Sequence, residues 1–192
     1  MTATTGTTAT TERRERLVWL DLEMTGLDPR KDSIIQLGLV VTELDTWEPL
    51  ATIELDIWQP EPALAVMTPF VRTMHEKSGL IERVRRSTTS QDDAERAALD
   101  VVSRFCAPRQ AILAGNSIWQ DRRFLAAGMP AFEGYLHFRM VDVTSFKIMA
   151  RAWLGERSAF KKEKAHTALA DVHASQEELA LYKRLFGVGE KR

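Results

Sequence analysis

The 192-residue chain has only one cysteine, Cys106, so no internal disulfide can form. Its apolar, helix-patterned surroundings mark that thiol as an inert core group. No apolar run approaches the roughly 20 residues that a bilayer-spanning helix requires. Nor is there an excess of one charge, since 26 Lys and Arg stand against 27 Asp and Glu, a formal net charge of −1. The broad basic field that holds long nucleic acid is therefore missing, although a short or locally gripped phosphate ligand is not excluded. Residues 1–11 are rich in threonine and lack the apolar segment of a secretory signal. Residues 1–15 are read as a disordered leader, 188–192 as a tail, and the protein is expected in the cytoplasm.

What is present is a globular composition, 44% hydrophobic and 28% charged, with enough apolar material for a core. Residues 16–187 are read as one domain. Strands are expected at 17–22, 33–43, 50–58, 111–115 and 137–143, where β-branched and aromatic residues concentrate between turn formers. Helices are expected at 91–106, at 116–130 with Ser117 as N-cap and Gly128–Pro130 as the stop, near 144–153, and from about 167 to 186. The proline-rich stretch 59–69 is expected to be a loop with short turns, and 156–164 a basic loop. Three strands and a helix, followed by alternating strands and helices, predict a mixed α/β sheet with helices on its faces.

Asp21 and Glu23 break the pattern of the first strand. Residues i and i+2 of a strand share a face and lie about 6.6 Å apart, so the two carboxylates point the same way at the end of an apolar strand. That end is where α/β folds place ligands. Asp121 falls on or beside the apolar stripe of its helix, near Ile118, Phe124 and Leu125. Asp171 lies on the margin of the last helix's stripe of Ala168, Val172, Ser175, Leu179, Tyr182 and Phe186. Each acid alone could be capped or salt-bridged. Four converging carboxylates would repel strongly, by roughly 4 kcal/mol per pair at 4 Å and an effective dielectric of 20. Two divalent cations about 3.5–4 Å apart would neutralise them and serve in-line displacement at phosphorus. His166 precedes Asp171 by five residues, roughly 140° around a continuous helix. It can face the same site only from the loop before that helix, where it would act as a base.

The segments DLEMTGLDP (21–29), GNSIWQDRRFL (115–125), LHFRMVDV (136–143) and HTALADVHAS (166–175) resemble oligoribonucleases of the DEDDh 3′–5′ exonuclease superfamily. The likeness runs in order from about residue 16 to 186. The D-x-E, D and H-x4-D pattern marks the superfamily, and EMTGLDP with GNSI-x-QDRRFL marks the oligoribonuclease branch. The resemblance implies an RNase H-like exonuclease fold. It implies that Asp21, Glu23, Asp121 and Asp171 hold two Mg2+ or Mn2+ ions, with His166 as general base. The implied substrates are very short RNAs, chiefly dinucleotides, cut to mononucleotides. Met24, Thr25 and Gly26 would hold the substrate's 3′ end, with Leu27 wedged between its bases and His75 beside that wedge. Asn116 and Ser117, at the head of the site helix, would bind the substrate, and Trp119 would either face the ligand or pack. A homodimer is implied, in which His137, Phe138 and Arg139 reach the neighbouring site and cap the substrate's 5′ end, with Lys147 in the phosphate cap. The sequence departs from the family pattern at Phe70 (usually tryptophan), Phe138 (usually tyrosine), Lys147 (usually a small hydroxyl residue) and Thr167 (usually arginine). Two other readings remain: a broader exonuclease acting on short RNA or DNA, and a non-catalytic nucleotide binder.

Overall fold

The computed structural model describes residues 15–161 and 167–188. Apart from residues 15 and 188, the leader and tail expectations fall outside those residues. The described strands are β1 (Arg16–Met24), β2 (Ile34–Glu43), β3 (Pro49–Asp56), β4 (Ala111–Gly115) and β5 (Leu136–Asp142). They form one sheet in the order β3-β2-β1-β4-β5. The first three are antiparallel neighbours, whereas β4 runs parallel to β1 and β5 parallel to β4. The helices are α1 (Glu61–Ala65), α2 (Pro69–Lys77), α3 (Leu80–Arg86), α4 (Gln91–Ser103), α5 (Ile118–Gly128), α6 (Pro130–Tyr135), α7 (Val143–Leu154) and α8 (Ala168–Leu185).

Alternation along β1 divides the core. Val18, Leu20 and Leu22 face one side and pack with residues of α4, α5 and α6, including Ala98, Phe124 and Phe132. Leu17 and Trp19 face the other side and pack with Val143 and Ala150 of α7 and Val172, Leu179 and Tyr182 of α8. The stripe expected on the last helix is the buried face of α8. A third cluster of Ile35, Leu64, Met67, Leu80, Ile81 and Val84 seats α1 and α3 against the end of β2. Each fully buried aliphatic side chain contributes about 1.5–3 kcal/mol. Cys106 is buried in the first cluster, where desolvation pushes its thiol up to about 11.

Several local expectations need correction. The stretch 59–69 contains the short helix α1, because Pro62 and Pro69 sit in the first turns of α1 and α2, where a missing N–H costs nothing. Pro130 likewise stops α5 and starts α6, whose first N–H groups, at Ala131 and Phe132, donate to Glu95 Oε1 at 2.6 and 3.1 Å. Ser117 occupies the N-cap position of α5 but does not cap with its side chain. Its backbone is left-handed, with φ near 50°, and its N–H donates to Asp142 Oδ1 at 3.0 Å and Thr144 Oγ1 at 2.9 Å. The start of α5 is thus tied to the end of β5.

Candidate active site

The apolar face of β1 ends at Leu22, and the same strand delivers Asp21 and Glu23 to the α8 side of the sheet. In the antiparallel register, Asp21 stands opposite Gly38. A Cβ at Gly38 would come within 2.6 Å of the backbone of Ala168 and Leu169, so this glycine lets the start of α8 lie against β2. One turn into α8 comes Asp171. As a result, one oxygen from each of Asp21, Glu23 and Asp171 lies within 4.8 Å of the others, and Glu23 and Asp171 are buried.

Asp121 joins from the opposite face. The pairing of β1 with β4 ends at Trp19 and Ala114. Beyond it, the Leu22 N–H donates to Asp121 Oδ1 at 2.9 Å. Asp121 is buried, and desolvation pushes its carboxyl up to about 7. The Leu22 N–H opposes that rise, and repulsion from Asp142 adds to it. A carboxyl in this condition gains more from a nearby cation than one already ionised in water. Asp121 is thus tied to the strand at Leu22, between Asp21 and Glu23 in sequence, but it is not among the three carboxylates that lie within 4.8 Å of one another.

The turn after β1 is built around Asp32. Its carboxylate accepts from the Thr25 hydroxyl at 3.2 Å and from the Asp28 N–H at 2.9 Å. A Cβ at Gly26 would meet that carboxylate at 2.4 Å. The buried Thr25 hydroxyl also accepts from the Ser33 N–H at 2.9 Å. The side chain of Thr25 and the bareness of Gly26 therefore shape the turn. Leu27, in contrast, is 72% exposed, its carbonyl held by Gln120 Nε2 at 2.7 Å. Phe70, 77% exposed, faces the same 620 Å³ cleft as Glu23, Met24, Leu27, Val71 and Met74. An apolar cleft thus opens beside Glu23.

His75 lies beneath this end of β1. It is wholly buried, its Nε2 donating to the Met24 carbonyl at 3.0 Å and its Nδ1 3.9 Å from Glu23 Oε2. It braces this end of the strand from beneath. His166 lies outside the described residues; α8 begins two positions after it.

A second polar network joins the turn between β4 and α5 to α7 and α8. Asn116 Nδ2 donates to Ser175 Oγ at 3.0 Å and Glu178 Oε2 at 2.9 Å, and Ser175 Oγ donates to the Asp171 carbonyl at 2.9 Å. Glu178 is buried and also accepts from the Tyr182 hydroxyl at 2.7 Å and pairs with Lys147 Nζ at 3.1 Å. Burial alone would raise the Glu178 carboxyl, but these three donors together hold it below its ordinary value. Glu178 was missed in the sequence, although it falls at helical spacing from Ser175 and Tyr182 inside the apolar stripe. Trp119 is exposed, with the Arg123 guanidinium 5.7 Å from its ring centre. On edge strand β5, His137 is buried and stacks on Phe138, with centroids 4.5 Å apart, and Arg139 lies over the other ring at 4.9 Å. Arg122 fixes this segment by donating to the His137 and Phe138 carbonyls at 2.9 and 3.1 Å.

Comparison with known proteins bears directly on this arrangement. The RNase T family, described as exonuclease, matches residues 18–179. The oligoribonuclease of Thiobacillus denitrificans is 44% identical over 171 residues, covering 88% of this chain and 94% of that protein. The chain belongs to the oligoribonuclease family. Oligoribonucleases from Paracidovorax citrulli (45% identity, 87% of each chain) and Corynebacterium glutamicum (43% identity, 96% and 85%) are similarly close. Membership makes the chain a nuclease. Among solved structures, cell-death related nuclease 4 superposes with a TM-score of 0.66 at 13% identity, covering 92% of this chain and 65% of that one. Escherichia coli exonuclease I bound to a dT13 oligonucleotide gives 0.63 at 16% identity, with coverage of 91% and 43%. The chain spans less than half of exonuclease I, and both likenesses establish the RNase H-like exonuclease fold that this oligoribonuclease relative adopts. Among the described residues, no helix is long and apolar enough to cross a membrane.

Proposed function

We propose that the protein is a cytoplasmic 3′–5′ exoribonuclease that hydrolyses dinucleotides and other very short RNAs to mononucleotides, using two divalent metal ions. The observation that carries this reading is the convergence of Asp21, Glu23 and Asp171 within 4.8 Å, with Glu23 also lining an apolar cleft. Each pair of like charges at that distance repels by about 3 kcal/mol at an effective dielectric near 20. An all-carboxylate donor set of this kind fits a hard divalent cation. Asp21, Glu23, Asp121 and Asp171 would hold the ions. Bound there, Mg2+ or Mn2+ would supply charge neutralisation and activation of water for attack at phosphorus.

The chain's own residues do the rest. His166 accepts the proton of the attacking water, since its ordinary pKa of about 6.5 leaves it neutral at physiological pH. Leu27 and Phe70, exposed on the turn and on α2, offer apolar surface to the bases, while Met24 lines the floor. Asp121 and His75 fix the end of β1 so that Asp21 and Glu23 keep their direction. The small cleft and the absence of a basic excess favour short substrates, because long chains reward many phosphate contacts.

A homodimer belongs to this reading. The edge strand and α7 expose Phe138, Met140, Phe146, Ile148, Met149 and Trp153, an apolar surface of the sort that protein interfaces cover. Phe138 and Arg139 would then reach the neighbouring site. Lys147, salt-bridged to Glu178, stands on the same helix as this surface.

Turnover of a diribonucleotide, a ten-mer and a deoxydinucleotide separates the alternatives. The diribonucleotide should be consumed fastest; faster loss of the ten-mer would contradict the short-substrate reading, and no mononucleotide release from any of them would leave only a binder. Activity should rise between pH 5 and 8 as His166 loses its proton, and a flat profile would remove it as the base.

A further inference from the structure

Two rows of residues cross the sheet beneath the start of α8. In one, Asp21 pairs with Gly38 and Gly38 with Glu54; in the next, Glu23 pairs with Gln36 and Gln36 with Asp56. The β1 members are carboxylates of the cluster. Their neighbours on β2 and β3 perform a different task.

A helix begins with four N–H groups that have no partner within it, and a side chain at the N-cap commonly takes one. Thr167, at the N-cap of α8, makes no such bond. Instead the Ala168 N–H donates to Gln36 Oε1 at 2.8 Å, and the Leu169 N–H donates to Glu54 Oε1 at 3.1 Å. Both acceptors come from the sheet, more than a hundred residues earlier in the chain. Gly38 provides the gap between them into which the helix backbone fits. Gln36 is buried, and its amide is engaged at both ends, because Nε2 donates to Asp56 Oδ1 at 2.7 Å. The other Asp56 oxygen accepts from Arg83 Nε at 3.1 Å. The Gln36 amide accepts from the helix through its oxygen and donates to Asp56 through its nitrogen, and it adds no charge beside Glu23.

We propose that Gln36 and Glu54 are positioning residues that cap α8 from the sheet and thereby set Asp171 against Asp21 and Glu23. The proposal rests on the reading of those carboxylates as a metal site. The Asp171 N–H donates to the Thr167 carbonyl at 3.0 Å, so Asp171 closes the same turn that the two caps secure. Freeing that turn moves one ligand of the cluster while the other two stay on β1.

Calorimetric titration of the full chain with Mn2+ tests this without relying on turnover. Gln36→Leu should weaken Mn2+ binding about tenfold or more, the size of effect seen when a ligand loses its orienting partner. Glu54→Ala should weaken it by a smaller factor, and Glu54→Gln, which keeps an acceptor, should restore it. Glu54 is exposed, so its two variants read the same geometry even if Gln36→Leu fails to fold. Wild-type binding in Glu54→Ala, or Glu54→Gln as weak as Glu54→Ala, would overturn the capping role. Asp171→Asn distinguishes the underlying reading: if it titrates like the wild type, the metal site itself is refuted and the proposal falls with it.

Discussion

The end of β1 and the edge formed by β5 and α7 both carry residues that an isolated domain avoids, in opposite senses. At the end of β1, the acids Glu23 and Asp171 are buried, 7% and 8% exposed. Along β5 and α7, Phe138 and Trp153 are apolar and open, 66% and 62% exposed. The first region gathers carboxylates, the second apolar side chains. A small cation can satisfy the first, whereas only another macromolecular surface can cover the second. The pair teaches that an unfavourable local environment specifies the chemistry of what relieves it.

The comparison can be broken at either end. The largest effect should come from the carboxylates: Asp21→Asn or Asp171→Asn should lower kcat/KM by at least about a hundredfold, beyond the loss typical of residues that merely orient ligands. Near-normal steady-state turnover in either variant would remove the cluster from the chemistry. At the apolar edge, Trp153→Ala or Phe138→Ala should each cost about 2 kcal/mol of association, roughly thirtyfold in the dimer dissociation constant. Light scattering across a dilution series measures this, and unchanged mass in both would assign the exposed surface to another partner.

Smaller changes sharpen how the first region is built. Gly38→Ala forces a methyl against the α8 backbone and should cost about 1–3 kcal/mol in urea unfolding. No loss would mean that α8 does not need its close approach to β2. The smallest effect belongs to Glu178. Its folded-state pKa is below the ordinary 4.5, so its contribution is fully present above that value and is lost as pH falls from there through the folded-state pKa. Glu178→Gln should therefore show a shallower loss of stability below about pH 4.5 than the wild type. An unchanged acid limb would mean that the Tyr182, Asn116 and Lys147 contacts do not favour the anion.

These two regions also differ in how legible they were in the sequence. A pair of acids two apart at the end of an apolar strand is a local pattern, so Asp21 and Glu23 could be read directly, and the succession of strands and helices followed from their periodicity. The periodic stripe of α8 likewise let Asp171 be read at the margin of its buried face. The exposure of Trp153 and Ile148 could not be read, because α7 carries apolar residues on both faces and only the fold decides which face stays open. The burial of His75 could not be read for a related reason: its position in the sequence does not say that α2 tucks it under Met24. The caps from Gln36 and Glu54 depend on pairing across three elements far apart in the chain, which no window of sequence contains.

The most direct test of the carboxylate site is mononucleotide release from a diribonucleotide by chelator-stripped protein, measured before and after Mg2+ is added. A metal-built site requires negligible release without the ion, restoration with it, and no restoration in Asp171→Asn. Full release by the stripped protein, or restoration in Asp171→Asn equal to that of the wild type, would contradict it.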